Sequence, residues 1–511
     1  MTIQLHPDQG APGNTRGARG VNMTTIQEIP NHTVEKIGGS SMSRTAELLE
    51  TVLIGDRSGD ALYNRIIVVS AYAGITDALL EHKKTGKQGV YAQFANAKGG
   101  WGWNDALSEV GDMMLALNAD IFDDEGARHS ADTFIRERIE GVRSCLVDLG
   151  RICSFGHFQL DQHLLTVREM LASLGEAQSA FNTVILLAHH GVNARLVDLT
   201  GWRQEGTEDL NACINAAFAT VDITRELPIV TGYAQCREVL MGTYDRGYSE
   251  VTLSRIAAVT GAGEAIIHKE FHLSSADPRI VGVENVRIVG RTNWDVADQL
   301  SNLGMEAIHP RAAKSLRQAG IPLRVKNAFD PSHDGTVVWT DTSNDQPTAG
   351  VEMVTGLRGV FAFEFHDQDM VGVKGFDAQV LETLTRHNVW IVSKISNANT
   401  ITHFVKGSMK KIRKAEADLC GAFPNAEVSL RKVALISAIG RNLGDPSLLP
   451  RIVRVLDEAG ILPLGIHDPM RKVDIQVVIE DADHDGAVIA MHRALIEDSG
   501  KTSELPLHRA A

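Results

Sequence analysis

The chain has 511 residues, 43 % hydrophobic and 22 % charged, enough for more than one domain with a buried core in each. A formal net charge of -14 without a basic stripe argues against a nucleic-acid surface, and no apolar run reaches the ~18 residues of a membrane span. Five cysteines (Cys145, Cys153, Cys213, Cys236, Cys420), odd in number and far apart, argue against a disulfide framework or a zinc site and fit a reducing cytoplasm.

Residues 1–31 are rich in Gly, Pro, Asn and Thr without an apolar segment, and read as a disordered tail, not a signal peptide. A short strand, Thr33-Val34, then leads into Lys36. Gly38-Gly39 open the backbone, and Ser40-Ser41 start a helix expected from Met42 to Leu53. A strand, a Gly-Gly turn and a helix start form an anion cradle: glycine permits close approach, amides and helix dipole favour negative charge, and lysine adds a full charge. The lysine precedes the glycines, so this is not a Walker A loop. An ordinary strand-to-helix turn with a solvated lysine accounts for the same residues.

Asn64 to Ala71 is a continuous apolar, β-branched run, suited to a parallel strand buried on both faces. It ends in Ser70, Gly74, Thr76 and Asp77, where open α/β sheets bind ligands; Thr76-Asp77 also suits a simple helix cap. Residues 81–170 are polar and helical in pattern. His157 and His163 do not have the spacing of a helical metal pair, and no metal ligand set is assigned to the chain. In the helix from Leu164 to Phe181, Gly175 costs helix stability, which points to a close approach beside Glu176. Strands follow at Ala194–Asp198 and Leu227–Tyr233. Gly242 and Gly247 loosen the next loop, and Arg246 and Ser249, the latter as N-cap, make a second anion-ready helix start. After the strand Ala265–His268 comes the turn Ser274 to Arg279 with its Asp277-Pro278 signal. A helix ends at His309-Pro310, and Ile321–Val325 closes the first domain.

From about residue 350 the pattern repeats. Gly359–Phe365, a helix to His387, Val389–Val392, Ile401–Val405 and a helix Met409–Leu419 match Lys432–Ser437, Leu449–Ala459, Ile461–Leu464, Val473–Ile479 and Asp485–Ile496. This is β-α-β-β-α twice, a ferredoxin-like module in duplicate. The expected division is a tail to 31, a first domain over 32–345 with a helical insertion at 81–170, modules at 346–425 and 426–500, and a tail from 501.

In order along the chain, Lys36-Ile37-Gly38-Gly39-Ser40-Ser41, Val69-Ser70-Ala71 with Gly74-Ile75-Thr76, and Ser173-Leu174-Gly175-Glu176 with Ser179 resemble aspartate kinase. Thr231-Gly232-Tyr233, Arg246-Gly247-Tyr248-Ser249-Glu250, Asp277-Pro278-Arg279 and Ile308-His309-Pro310 continue the resemblance, which runs from about Thr33 to about Glu497. The stretch Met305 to Lys314 and the long 81–170 segment are similar to the aspartate kinases associated with ectoine synthesis. The resemblance implies an α/β amino-acid-kinase fold, a three-layer sandwich on a mostly parallel sheet, with two C-terminal ACT modules. It implies transfer of the ATP γ-phosphoryl group to the β-carboxylate of L-aspartate, with Mg²⁺, an amino-acid effector at the ACT pair, and a homo-oligomer.

By the same resemblance Lys36, Gly39 and Arg246 are catalytic. Ser70, Thr76, Glu176, Tyr233, Arg246, Ser249 and Glu250 hold the amino acid, Glu176 taking its ammonium and Arg246 its α-carboxylate. Lys36, Gly38, Gly39, Ser40, Ser274, Asp277 and Arg279 hold the nucleotide. Three departures stand out. Glu250 replaces the usual aspartate, His268-Lys269-Glu270-Phe271-His272 replaces Thr-Asp-Val-x-Gly, and Glu306 replaces a lysine. They are expected to be a local exchange of charge that keeps ATP bound. A non-catalytic amino-acid sensor, and a kinase of the same fold acting on glutamate, acetylglutamate or UMP, are the competing readings.

Overall fold

The computed structural model describes residues 31–82, 85–96, 100–204, 208–244, 247–303, 308–340 and 350–498. The expected tails (Asn31 excepted), Arg246 and Glu306 lie outside the described residues. Eight strands form the first sheet: β1 (Thr33–Ile37), β2 (Arg65–Val69), β3 (Ala194–Val197), β4 (Leu227–Thr231), β5 (Glu264–Lys269), β6 (Arg291–Asn293), β7 (Leu323–Asn327) and β8 (Thr336–Trp339). Their order is β3-β4-β2-β1-β5-β7-β8-β6. All neighbours run parallel except β7 and β8. Every residue of β2 and β4 is buried, as continuous apolar runs in a parallel sheet require. Helix Tyr248–Thr260 packs on β1, β2 and β5, and helix Leu164–His189 on β3 and β4.

The 81–170 segment is helical as expected, with Val90–Asn96, Gly102–Ile121 and Glu125–Cys153 in place. Leu107, Met114, Ile135 and Val142 join the core of the first sheet. A buried amide network ties this segment to helix Leu164–His189: Gln178 Nε2 and Asn182 Nδ2 each donate to Asn118 Oδ1 at 2.8 Å. Among the described residues no helix is long and apolar enough to cross a membrane.

A buried ionic group links β1, β2 and β5. Arg65 Nε and Nη2 donate to Glu35 at 2.7 and 3.0 Å, and His268 Nε2 lies 2.8 Å from Glu35 Oε2. Burial works to raise the Glu35 pKa, but Arg65 and His268 outweigh it and hold the carboxyl well below its ordinary value. The pairing therefore contributes stability above the ordinary carboxylate range, and that contribution is lost as pH falls through the depressed value. Arg65→Met leaves Glu35 without its bidentate partner and lowers stability by about 3–5 kcal/mol, read as a fall in the urea midpoint at neutral pH.

The second sheet contains β9 (Gly350–His366), β10 (Trp390–Ser396), β11 (Thr400–Lys406), β12 (Glu427–Arg441), β13 (Gly465–His467) and β14 (Asp474–Glu480), in the order β10-β11-β9-β12-β14-β13. It is antiparallel throughout. The duplicated β-α-β-β-α pattern is present, but the copies are interlocked. Residues 427–433 of β12 pair with 360–366 of β9, while 435–441 pair with 350–357. Each long strand thus serves both modules, and Val354, which precedes the first copy, packs in the core of the second with Ala434 and Ile436. The strand expected at Ile461–Leu464 lies later, at β13; Pro463 has no N–H to give a ladder. The helix expected over Met42–Leu53 is broken into Gly39–Met42, Thr45–Leu48 and a π turn, Leu49–Leu53, with Arg44 out of helical geometry between the first two.

Candidate active site

Because β4, β2, β1 and β5 are adjacent and parallel, their carboxyl ends lie side by side, and Lys36, Ser70 and Tyr233 sit at or just beyond those ends. Lys36, near the end of β1, is 7 % exposed. Gly38 and Gly39 follow, and a Cβ on Gly39 would meet the Ala71 carbonyl oxygen at 2.7 Å, so that position admits only glycine without movement. Ser40 is the second residue of a helix of four residues, too short for a substantial dipole; the amides of the turn carry the anion-binding potential.

Ser70 follows β2, and its hydroxyl oxygen lies 3.4 Å from that of Ser249. Ser249 is not the N-cap that its sequence position suggests. The helix Tyr248–Thr260 starts two residues earlier than that cap would place it, with Gly247 at the cap, and this leaves the Ser249 hydroxyl to face Ser70. Gly232 explains how these parts come together: a Cβ there would meet Ser249 Cβ at 2.7 Å, the Val69 carbonyl at 2.8 Å and Glu176 Oε1 at 3.3 Å. The close approach expected at Gly175 is present, since a Cβ there would meet Ala71 Cβ at 2.6 Å. Helix Leu164–His189 presses on the Ser70 turn at that point and carries Glu176 into the site.

Glu176 is 2 % exposed, and its Oε2 has no hydrogen-bond partner. Burial pushes its carboxyl pKa up to about 8, against the opposing pull of the Tyr248 hydroxyl, Lys36 and the Tyr233 amide. Thr76, half-buried, lies in the first turn of helix Ile75–Leu79, which starts from Gly74 at φ 84°. The Tyr233 hydroxyl donates to Glu169 Oε2 at 2.7 Å, and Glu169 Oε1 accepts the Gly242 amide at 2.8 Å. Tyr233 therefore shapes the site through its backbone and its ring, which meets Tyr248 edge-on at 5.7 Å.

Glu250 is the charge hub. Its Oε1 lies 3.7 Å from Lys36 Nζ and 3.2 Å from Lys269 Nζ, and its Oε2 accepts the His309 amide at 2.6 Å. Burial alone would raise the Glu250 pKa, but Lys269 and Lys36 hold it below its ordinary value. Burial draws the Lys36 pKa down, with Lys269 adding to the effect and Glu250 and Glu176 opposing it. The extra methylene that sets Glu250 apart thus reaches two lysines and a helix start at once.

Lys269, noted in the sequence only as a departure, is in the cluster; Glu306, its expected counterpart, lies outside the described residues, as does Arg246. Ser274, Asp277 and Arg279 sit on the loop that leaves β5. Their contacts are local: Ser274 Oγ donates to the Ala276 carbonyl at 2.7 Å, and Asp277 caps helix Pro278–Val281 and pairs with Arg279 at 2.6 Å. The loop is anchored to the C-terminal region, where Val354 N of β9 donates to the Ser275 carbonyl and Ser275 Oγ meets His492 Nε2, at the end of helix His484–His492, at 2.9 Å. Gly232 and Tyr248 enter the sequence analysis only inside matched motifs, with no role assigned, and Glu169 does not enter it.

A model of the amino acid kinase family matches residues 31–327. Aspartate kinase Ask_Ect of Stutzerimonas stutzeri (strain A1501) is 53 % identical over 466 residues, covering 91 % of this chain and 98 % of that protein. Chloroplastic aspartokinase 3 of Arabidopsis thaliana is 26 % identical, covering 91 % and 81 %. Among solved structures, E. coli aspartokinase III in complex with aspartate and ADP (R-state) superposes with a TM-score of 0.67 at 19 % identity, covering 91 % of this chain and 100 % of that one. The same protein in complex with lysine and aspartate (T-state) gives 0.69 at 19 %, covering 91 % and 99 %.

Proposed function

The chain belongs to the aspartate kinases of the amino acid kinase family, and from that premise we propose how its residues transfer the γ-phosphoryl group of ATP to the β-carboxylate of L-aspartate. One observation carries the reading: Lys36, Glu250 and a buried Glu176 with an unpartnered oxygen meet at the carboxyl ends of adjacent parallel strands. A carboxylate is a nucleophile at neutral pH, so no general base is required. One of its oxygens bonds to the γ-phosphorus as the bond from that phosphorus to the bridging oxygen breaks, and ADP leaves with the electron pair. The protein's task is to hold two anions together and to offset charge on the transferring group.

In this reading Lys36 and the amides of Gly38, Gly39 and Ser40 face the phosphates, with Ser274, Asp277 and Arg279 on the nucleotide side. Glu176 Oε2 accepts the substrate ammonium. Ser70, Thr76 and Ser249 line the amino-acid side, Tyr233 and Glu250 shape it, and Arg246 grips the α-carboxylate through a bidentate pair. Magnesium travels with the nucleotide. Among the described residues no group of three or more His, Cys, Asp and Glu is placed to hold a metal ion, and Mg²⁺ carried on phosphates and water requires none. An amino-acid effector at the C-terminal modules, a homo-oligomer, a role in ectoine synthesis and a cytoplasmic setting complete the reading, the last supported by five free cysteines.

A coupled ADP-release assay tests it. Aspartate is expected to elicit release well above the rate without an acceptor, and glutamate is not. Equal rates with aspartate and with no acceptor would remove the transferase reading in favour of a sensor.

A further inference from the structure

Helix Leu164–His189 carries two buried carboxylates, Glu169 and Glu176, about two turns apart and so on one face. They are used differently. Glu176 keeps Oε2 without a hydrogen-bond partner. Glu169 has both oxygens committed: Oε2 accepts the Tyr233 hydroxyl at 2.7 Å, and Oε1 accepts the Gly242 amide at 2.8 Å. Burial raises the Glu169 pKa, while the Tyr233 hydroxyl, the Gly242 and Met241 amides and Arg168 pull the other way.

Tyr233 spans the two carboxylates. It lies just beyond β4, its hydroxyl is held by Glu169, and its amide acts on Glu176. Its ring meets Tyr248 edge-on at 5.7 Å, and the Tyr248 hydroxyl also acts on Glu176. A tyrosine held at both ends cannot swing without giving up a buried hydrogen bond. Gly242 is the second hold. It lies in the short helix Leu240–Tyr244, where a Cβ would meet Leu165 Cδ1 at 2.9 Å, so this helix is pressed against the start of Leu164–His189. The chain that leaves β4 is thus tied to Glu169 at two points before it returns as helix Tyr248–Thr260 with Ser249.

We propose that Glu169 is a positioning residue for the amino-acid side of the reaction: by holding the Tyr233 hydroxyl and the Gly242 amide, it sets Tyr233 and Tyr248 against Glu176 and so sets the affinity for the ammonium group of the acceptor. The proposal rests on the reading above in which Glu176 takes that ammonium. Glu169 itself touches no substrate. One helix in this way supplies both the carboxylate that binds and the carboxylate that fixes what surrounds it.

Steady-state kinetics of aspartate-dependent ADP release, on the full chain and its Glu169→Leu, Glu169→Gln and Glu176→Gln variants, tests this. Glu169→Leu takes the acceptor from both donors and is expected to raise the aspartate KM by about tenfold or more, within the range that a small misplacement of a positioned group produces. The ATP KM and kcat should stay within threefold. Glutamine can accept the Gly242 amide through its oxygen and donate to the Tyr233 hydroxyl oxygen through its nitrogen, so Glu169→Gln should keep the aspartate KM within threefold of the unaltered protein. A residue that only stabilised the fold would give neither that selectivity nor that rescue. If Glu169→Leu fails to fold, Tyr233→Phe breaks the same tie from the other side and should also raise the aspartate KM with the ATP KM kept. An aspartate KM that rises less than threefold, a rise matched in the ATP KM, or a rise that glutamine does not prevent overturns the proposal. A raised aspartate KM in Glu176→Gln beside an unchanged one in Glu169→Leu removes Glu169 alone. An unchanged aspartate KM in Glu176→Gln removes the reading of Glu176 on which the proposal stands.

Discussion

Lys36→Met lowers kcat by about a hundred- to a thousandfold and leaves the chain folded. The size follows from removing one preorganised charge-stabilising group from an enclosed site. Retention of the fold follows from what remains: Glu250 keeps Lys269 at 3.2 Å and the His309 amide at 2.6 Å, so the substitution strands no buried carboxylate. Methionine fills nearly the same volume, and β1 stays paired on both edges through its backbone. The pair of measurements is the ADP-release kcat and the thermal transition. A kcat within threefold of the unaltered protein, with an unchanged transition, would take Lys36 out of the phosphate role.

Glu176→Gln has a different signature: the aspartate KM rises by about a hundredfold, the scale of losing one partner of a buried charge pair. Its pH dependence is the sharper diagnostic. In the free protein burial holds the Glu176 carboxyl at a pKa of about 8, so at pH 7 most molecules carry it protonated. An ammonium group binds the ionised form, so aspartate binding releases a proton. kcat/KM for aspartate should therefore rise about tenfold per pH unit below that value and level off above it. Glu176→Gln loses this inflection.

Stability moves the other way. A carboxyl whose folded pKa is raised makes the folded state less favourable as pH rises from the ordinary carboxylate value to about 8. Thermal stability of the parent should fall across that window relative to Glu176→Gln. Identical pH profiles of kcat/KM for the two proteins would show that Glu176 does not take the ammonium.

Much of this was legible along the chain. β2 and β4 are nearly continuous apolar runs, β5 has an apolar centre at Ala265–Ile267, and the ends of these strands carry small, hydroxyl and charged residues. The turn at Gly38-Gly39 and the close approach at Gly175 both follow from what glycine alone tolerates. The duplicated C-terminal pattern was legible because helix and strand periods alternate in the same order twice. Its interlocking was not: whether residues 350–357 pair with the first copy or the second depends on a partner some eighty residues away. Local pattern carries no register information over that distance. The cap assigned to Ser249 failed for a related reason, since any of Gly247, Tyr248 and Ser249 can start that helix and packing against Gly232 and Ser70 selected among them.

The amino-acid sequence by itself determined the fold class and the family, because apolar periodicity, glycine positions and motif order are properties of the chain as written. Only the tertiary structure decided how charge is shared. Glu250 serves two lysines and the start of a helix, Lys269 stands with Lys36, and Tyr233 is bound to Glu169. Coulombic and hydrogen-bond energies depend on separations of a few ångströms between groups far apart in the chain, and those separations exist only once the strands are in register.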